Sequence, residues 1–337
     1  AAGSRPAPVP VPVADEVADR VHTSDTIMRL DALPETMIIL GGGFISAEFA
    51  HVFSAYGVQV TVINRSPRLL RHEDQQVSER FTRLLGERVH LALGEQLIAV
   101  EHSHAGGVQV RTTTPGGERV HHADLVLNAL GRVPNGDLLN LAAAGVEVDE
   151  SGFVMVDEHQ RTSVAHIWAL GDVCSPSMLK HVANHEGRVV QHNLLHPDQL
   201  ISSNHRHIPH AVFSDPQIAA VGLTEEQLIE SGRDHLVQVQ DYGSVAYGWA
   251  MEDQEHFCKL LADPHSGRLL GAHFIGPQAA ILIQSLVQMM SCDQSIEQIA
   301  TGQYWIHPAL PELIENALLG LVQQRRAWLA ESERSHR

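Results

Sequence analysis

The chain has 337 residues, which at about 150 residues per domain suggests two or three domains. Hydrophobic residues make up 44% and charged residues 19%, too apolar a composition for a disordered chain and enough to build a core. Forty acidic residues against 23 basic ones give a net charge of −17, which argues against nucleic acid as a bulk partner, because phosphate binding needs a basic face.

Residues 1–13, AAGSRPAPVPVPV, are rich in proline, which excludes a helix and reads as a linker. The first residue is Ala1 rather than Met, so the chain reads as processed or as a fragment. From Met37 a short apolar run leads into Gly41-Gly42-Gly43, and apolar residues at helical spacing follow over 44–56. A β-branched run at 58–63 completes strand, glycine turn, helix and strand, the βαβ unit of a parallel sheet. A second helix is expected near 74–85, and strands at 89–93, 108–113 and 125–130, separated by glycine turns around 105–107 and 115–117.

Residues 151–200 carry a strand-like run at 153–156, an apolar run at 167–173 and a helix over about 184–195. The polar stretch 198–209 reads as a boundary. Beyond it, strands at 236–240, 257–261 and 269–275 precede helices at 278–290, 296–301 and 311–319, an α+β pattern that predicts a separate domain. The charged last dozen residues are expected to fray. No run approaches the roughly 18 apolar residues of a membrane span. The three cysteines, Cys174, Cys258 and Cys292, form no CxxC, which favours a reducing compartment such as the cytoplasm, with the thiols buried or inert.

Gly41-x-Gly43-x-x-Ser46 nearly matches GxGxxG. The first glycine permits the turn, the second lets backbone approach a pyrophosphate at the helix N-terminus, and the third position needs a small residue. Placed between a strand and a helix, the motif predicts a dinucleotide site at Gly41 and Gly43. An NAD-binding unit presents an acid at the end of its second strand, about 20 residues on. Here that position is Asn64, followed by Arg65, Arg68 and Arg71. An uncharged residue beside guanidiniums suits a 2′-phosphate, so NADPH is the expected cofactor. The bland alternative is a solvated basic loop.

Several stretches together carry a resemblance. Ala2 to Pro6, the turn with Gly41, Gly43, Phe44, Ile45 and Glu48, the run from Ala129 through Gly131 to Asn135, and Thr162 to Val173 follow the order found in flavin-dependent pyridine nucleotide–disulfide reductases. His307-Pro308-Ala309-Leu310-Pro311-Glu312 resembles that family's C-terminal active-site segment. Stretches at 179–186, 240–253 and 302–307 resemble one subgroup, whose substrate is the disulfide of a low-molecular-weight thiol. The resemblance implies an α/β fold: a Rossmann-like parallel-sheet NADPH domain over 23–140, the remainder of an FAD domain at 1–22 and 141–205, and an α+β dimerisation domain over 206–325, with a tail from 326. The family's first FAD motif and its redox CxxxxC are not in this sequence, which implies an N-terminally truncated chain whose own turnover is in doubt.

The resemblance also implies site residues. Gly171 and Asp172 would contact FAD, and Lys180 and His181 would lie by the flavin. His307 would protonate the departing thiolate at the active site of the opposite subunit of a homodimer, oriented by Glu312. A histidine bonded to a carboxylate has a fixed tautomer and suits acid–base work near neutral pH. His205, His207 and His210 could suggest a metal, but no Cys or acid completes a site nearby, so none is expected. Two other readings remain: another reductase of the family, of glutathione, mercuric or dihydrolipoamide type, or a non-catalytic nucleotide-binding and dimerisation fragment.

Overall fold

The computed structural model describes residues 1–335. They form two compact units. One contains 1–10, 23–25 and 128–206, and the other contains 11–22, 26–127 and 207 onward.

In the larger unit, the first βαβ element forms where the sequence places it. Strand Thr36–Leu40 leads through the glycine turn into helix Phe44–Ala55, and strand Gln59–Asn64 returns parallel to the first. Met37, Ile38, Ile39 and Leu40 are all buried, as a parallel strand covered on both faces requires. Strand His90–Leu93 adds parallel to Gln59–Asn64, reached through helix Gln75–Gly86. A three-stranded antiparallel meander follows: Gln96–His102, Val108–Thr114 and Gly117–Ala123. Only its middle strand was expected. Of the outer two, Gly117–Ala123 is polar and carries no apolar run, whereas Gln96–His102 holds the short run Leu97 to Val100; the turns between the strands fall at the expected glycines, with Gly106, Gly107 and Gly117 at positive φ.

The C-terminal part of this unit is a five-stranded antiparallel sheet. Its spatial order is His210–Val212, Ile218–Gly222, Leu269–Ile275, Phe257–Ala262, Leu236–Asp241. The α+β pattern is therefore present, with two further strands at 210–212 and 218–222. Its core is closed by helices Ala279–Ser291, Ile296–Gly302 and Glu312–Ser335. The last helix corrects the expectation of a frayed tail. Leu313, Ala317 and Leu321, with Ile314, Leu318 and Val322, form one buried stripe. Beyond it Arg325 holds the helix in place, donating to Glu297 at 2.7 Å and to the carbonyls of Pro264 and His265 at 2.9 and 2.7 Å.

In the smaller unit the Pro-rich start is a structural element rather than a linker. Ser4–Pro6 pairs antiparallel with Arg132–Pro134. The expected strand at 153–156 is not formed; Val154 makes one isolated bridge with Val148 and packs into a small core with Val146, Ala169 and Val173. The apolar run at 167–173 ends as a short 3-10 turn, Gly171–Val173. Helix Lys180–Leu195 begins four residues earlier than expected.

One ionic cluster ties the two halves of the larger unit together. Lys259, on the interior strand Phe257–Ala262, has no solvent exposure. Its Nζ meets both oxygens of buried Asp74, at 3.0 and 2.8 Å, and Glu225 Oε2 at 2.5 Å. Burial disfavours the ammonium, but the two carboxylates outweigh it and raise the Lys259 pKa. Asp74 is also the N-cap of helix Gln75–Gly86, accepting from the Gln76 N–H at 3.1 Å. Nearby, His210 Nε2 bonds Glu73 Oε1 at 2.7 Å.

Lys259→Met is expected to lower unfolding free energy by about 3–5 kcal/mol, because it strands a buried carboxylate without its counter-charge. Adding Asp74→Asn should recover part of that loss, as read by urea denaturation of the single and double variants. The His210–Glu73 pair makes a pH-dependent contribution. Burial pulls the His210 pKa down, but the hydrogen bond and charge of Glu73 outweigh it and leave the value raised. The contribution is full below the ordinary histidine value of about 6.5 and is lost as pH rises through the raised folded value. The difference in Tm between wild type and His210→Gln should therefore be largest below pH about 6.5 and shrink as the pH rises above it.

Candidate functional site

The glycine turn in the larger unit has the geometry of an anion site. Gly41 takes φ +113°, a conformation side chains rarely adopt, and donates its N–H to Ile63 O at 2.9 Å. Ser46, at the third motif position, is buried and returns its hydroxyl to Gly41 O at 2.7 Å. Gly43 opens helix Phe44–Ala55 with no side-chain cap. A Cβ added at Gly43 would meet nothing within 4 Å. The first N–H groups of a twelve-residue helix thus face open space, and the residues present fit a pyrophosphate there. Phe44 is exposed at the helix start, and Ile45 is half-buried beside it. Glu48, one turn on, has a structural contact as well: its Oε1 accepts the Phe213 N–H at 2.9 Å.

Beyond the second strand, Asn64 turns its amide into the following loop. Its Nδ2 donates to Ser66 O at 3.3 Å and to Arg68 O at 3.1 Å. Arg65 is exposed and makes no hydrogen bond or ion pair among the described residues. Arg71 is exposed and touches His72 at 3.4 Å. Leu70, between them, donates to Gly42 O at 2.7 Å, which holds the arginine loop against the glycine turn.

His307 and Glu312 lie elsewhere in this unit, at the start of helix Glu312–Ser335. His307 Nδ1 is 2.6 Å from Glu312 Oε1, while Glu312 Oε2 accepts the Ala309 N–H at 3.2 Å. The hydrogen bond from His307 holds the Glu312 carboxyl below its usual range, so it is ionised and acceptor-only. The Nδ1 proton is therefore directed at Glu312, and Nε2 is left to work on an exposed ring.

The smaller unit holds the other candidates. Asp172 Oδ2 accepts the Ser4 hydroxyl at 2.7 Å, and Ser4 is fixed in turn by Arg132, whose Nε and Nη2 reach Ser4 Oγ and O at 2.8 Å each. Asp172 Oδ1 has no protein partner among the described residues, which fits a ligand hydroxyl. Gly171 takes φ +73°, and a Cβ there would come 3.2 Å from Ala183 Cβ, pressing on helix Lys180–Leu195. Its N–H donates to buried Glu186 Oε2 at 2.6 Å, and Glu186 Oε1 bonds His205 Nε2 at 2.9 Å. Lys180 and His181 are exposed in the first turn of that helix, which has no side-chain cap. Gly131 takes φ +127° just before strand Arg132–Pro134. Sequence reasoning assigned no role to Ser4, Arg132 or Glu186. Ser4 meets Asp172 168 residues on and Arg132 meets Ser4 128 residues back, while the partners of Glu186 lie 15 and 19 residues away in separate elements, so local pattern carries no signal for them.

Cys258 is buried and Cys174 half-buried, with burial pushing the Cys174 thiol up to about 12. Cys292 is exposed, so of the two alternatives expected for the thiols, buried or inert, burial does not apply to it. Among the described residues no group of three His, Cys, Asp or Glu side chains is placed to hold a metal ion. No described helix is long and apolar enough to cross a membrane.

Comparison with known proteins agrees with this layout. The family model described as pyridine nucleotide-disulphide oxidoreductase matches residues 1–187, and the one for that family's dimerisation domain matches 208–318. Mycothione reductase of Mycobacterium tuberculosis is 54% identical over 325 residues, covering 95% of this chain and 69% of the relative. Dihydrolipoyl dehydrogenase of Haloferax volcanii is 32% identical over 325 residues, covering 94% of this chain and 67% of the relative. Among solved structures, LpdA of Mycobacterium tuberculosis superposes with a TM-score of 0.85 at 26% identity, covering 95% of this chain and 68% of that one. The HOCl-induced flavoprotein disulfide reductase RclA of Escherichia coli gives 0.83 at 26% identity, covering 94% and 72%.

Proposed function

Because this chain belongs to the pyridine nucleotide–disulphide oxidoreductase family, a family of flavoprotein disulfide oxidoreductases, we propose that it serves the NADPH-dependent reduction of mycothione to mycothiol. The likeness to mycothione reductase over nearly the whole chain is the observation that carries the substrate. The balance is one disulfide, NADPH and one proton giving two thiols and NADP⁺. In this reading 23–140 bind NADPH, 1–22 and 141–205 belong to an FAD domain, and 206–325 form a homodimer interface in a reducing cytoplasm.

The chain's own residues divide the work. The turn at Gly41 and Gly43, with Phe44 and Ile45 at the helix start and Glu48 braced on Phe213, receives the pyrophosphate and nicotinamide end. Arg65 and Arg71 supply charge-assisted bonds for a 2′-phosphate, and Gly131, in the smaller unit, is a cofactor-binding residue by the family resemblance. Ser4, Gly171 and Asp172 hold the ribityl or pyrophosphate part of FAD, with Lys180 and His181 toward the flavin. FAD, when bound, relays two electrons from the nicotinamide to a disulfide. His307 carries a proton on Nε2 and gives it to the departing thiolate, while Glu312 keeps Nδ1 protonated. The three cysteines sit in three separate elements, so the family's redox dithiol has no counterpart among them.

A dihydrolipoamide-type reductase is the second reading. Asn64, standing where an acid would hold the ribose hydroxyls of NADH, favours the first.

Replacing Arg65 and Arg71 together by Ala should raise the Kd for NADPH by at least about tenfold and leave that for NADH nearly unchanged, since each charge-assisted bond is worth roughly 1.5–3 kcal/mol. Equal effects on both nucleotides would remove the NADPH assignment. In a form of the protein that also carries the family's first FAD motif and redox CxxxxC, His307→Ala should slow mycothione reduction by about 10²–10⁴-fold, the usual reach of general acid–base catalysis, while flavin bleaching by NADPH in stopped flow keeps its rate. A variant that no longer bleaches would refute the role given to His307.

A further inference from the structure

The glycine turn contains one glycine that its motif does not require. Gly41 needs its positive φ, and Gly43 opens the helix. Gly42 lies outside the positive-φ region, so its backbone does not demand glycine. What demands it is a side chain. A Cβ at Gly42 would lie 2.5 Å from Asn64 Nδ2 and 2.7 Å from Asn64 Cγ. Real Cβ atoms do not approach so closely, and the amide cannot give way cheaply. It is short, and its Nδ2 is committed to the carbonyls of Ser66 and Arg68. Gly42 also offers its own carbonyl to the Leu70 N–H at 2.7 Å. The 64–70 segment therefore uses both the bare Cα and the carbonyl of this one residue.

We propose that Asn64 is a positioning residue for cofactor choice: it braces the arginine loop against Gly42 and does not itself bind the ribose. This rests on the NADPH reading above, and deepens it by separating two ways in which residue 64 could act. A direct ribose ligand improves for NADH when an acid replaces it, because a carboxylate accepts the ribose hydroxyls. A brace does the opposite. Asn64→Asp exchanges the two donated bonds for a carboxylate facing two carbonyl oxygens, and the loop must leave its seat. Arg65 and Arg71 then lose their placement around the 2′-phosphate, while NADH gains nothing. Gly42→Ala has the same consequence from the other side, because the new methyl group occupies the place of the amide. The two residues are thus a matched pair, and their substitutions are not independent.

The test is calorimetric titration of the protein with NADP⁺ and with NAD⁺, for the wild type, Asn64→Asp, Gly42→Ala, Asn64→Gly and the Gly42→Ala/Asn64→Gly double variant. Hydrogen exchange of the Leu70 amide is followed alongside. Asn64→Asp and Gly42→Ala should each weaken NADP⁺ by about tenfold and leave NAD⁺ within about twofold. Both should speed Leu70 exchange. In the double variant the methyl group has room, so its NADP⁺ affinity should match that of Asn64→Gly alone. Tighter NAD⁺ binding by Asn64→Asp would overturn the brace in favour of a direct ligand. So would a Gly42→Ala variant with unchanged NADP⁺ affinity and unchanged Leu70 exchange. A wild type without preference for NADP⁺ would instead remove the NADPH reading, and Leu70 exchange would still decide whether the brace exists. If Asn64→Asp does not fold, Gly42→Ala carries both readouts.

Discussion

A fully buried ammonium is tolerable only where opposite charge meets it, and the Lys259 cluster is the constraint on which the larger unit depends. The lysine stands on an interior strand of the antiparallel sheet, so its position is set by strand pairing on both sides. Asp74 must come to it, and Asp74 is the residue at which helix Gln75–Gly86 begins. The arginine loop ends just before that point. One of its ends is fixed by the parallel sheet at Asn64, and the other by a charge that belongs to the antiparallel sheet. The glycine-turn end of the unit therefore inherits its geometry from residues nearly two hundred positions away.

Carboxylates holding histidines recur through the molecule, and they show why some of the site was legible and some was not. His307 and Glu312 are five residues apart, within one recognisable segment, and their contact was expected before any coordinate was known. His210 and Glu73 are 137 residues apart, and His205 and Glu186 are 19 apart across a polar stretch read as a boundary. Sequence pattern carries no signal for such pairs, because each depends on how separate elements pack. Lys259 is the extreme case. In sequence it is one charge inside an apolar strand, and only burial shows that it must be paired.

The fold was legible where local chemistry and tertiary demand agree. The βαβ unit reads clearly because a buried parallel strand, a glycine turn and a helix each leave their own periodicity. The meander's last strand leaves little signal because Gly117–Ala123 is polar and its pairing is cross-strand, and the four apolar residues Leu97 to Val100 make too short a run to tell strand from helix. The strand-like run at 153–156 instead gives Val154 to a small core, with one bridge to Val148. The charge of the final helix does not mean fraying: Arg325 uses its charge to dock on Glu297. Gly42 was passed over because a motif assigns meaning to fixed positions, and its reason lies in a neighbour across the turn.

The smaller unit is assembled from pieces that are far apart in the gene. Strand Ser4–Pro6 completes Arg132–Pro134, and Ser4 meets Asp172, so residues 1–10 and 128–206 make one physical object. This sets a rule for recombination with relatives. A chimera that exchanges only the continuous block 128–206 brings in a strand and a carboxylate whose partners stay behind in the host sequence. Crossover points that respect the molecule must move the first ten residues with that block, so inheritance of this unit is a two-site event.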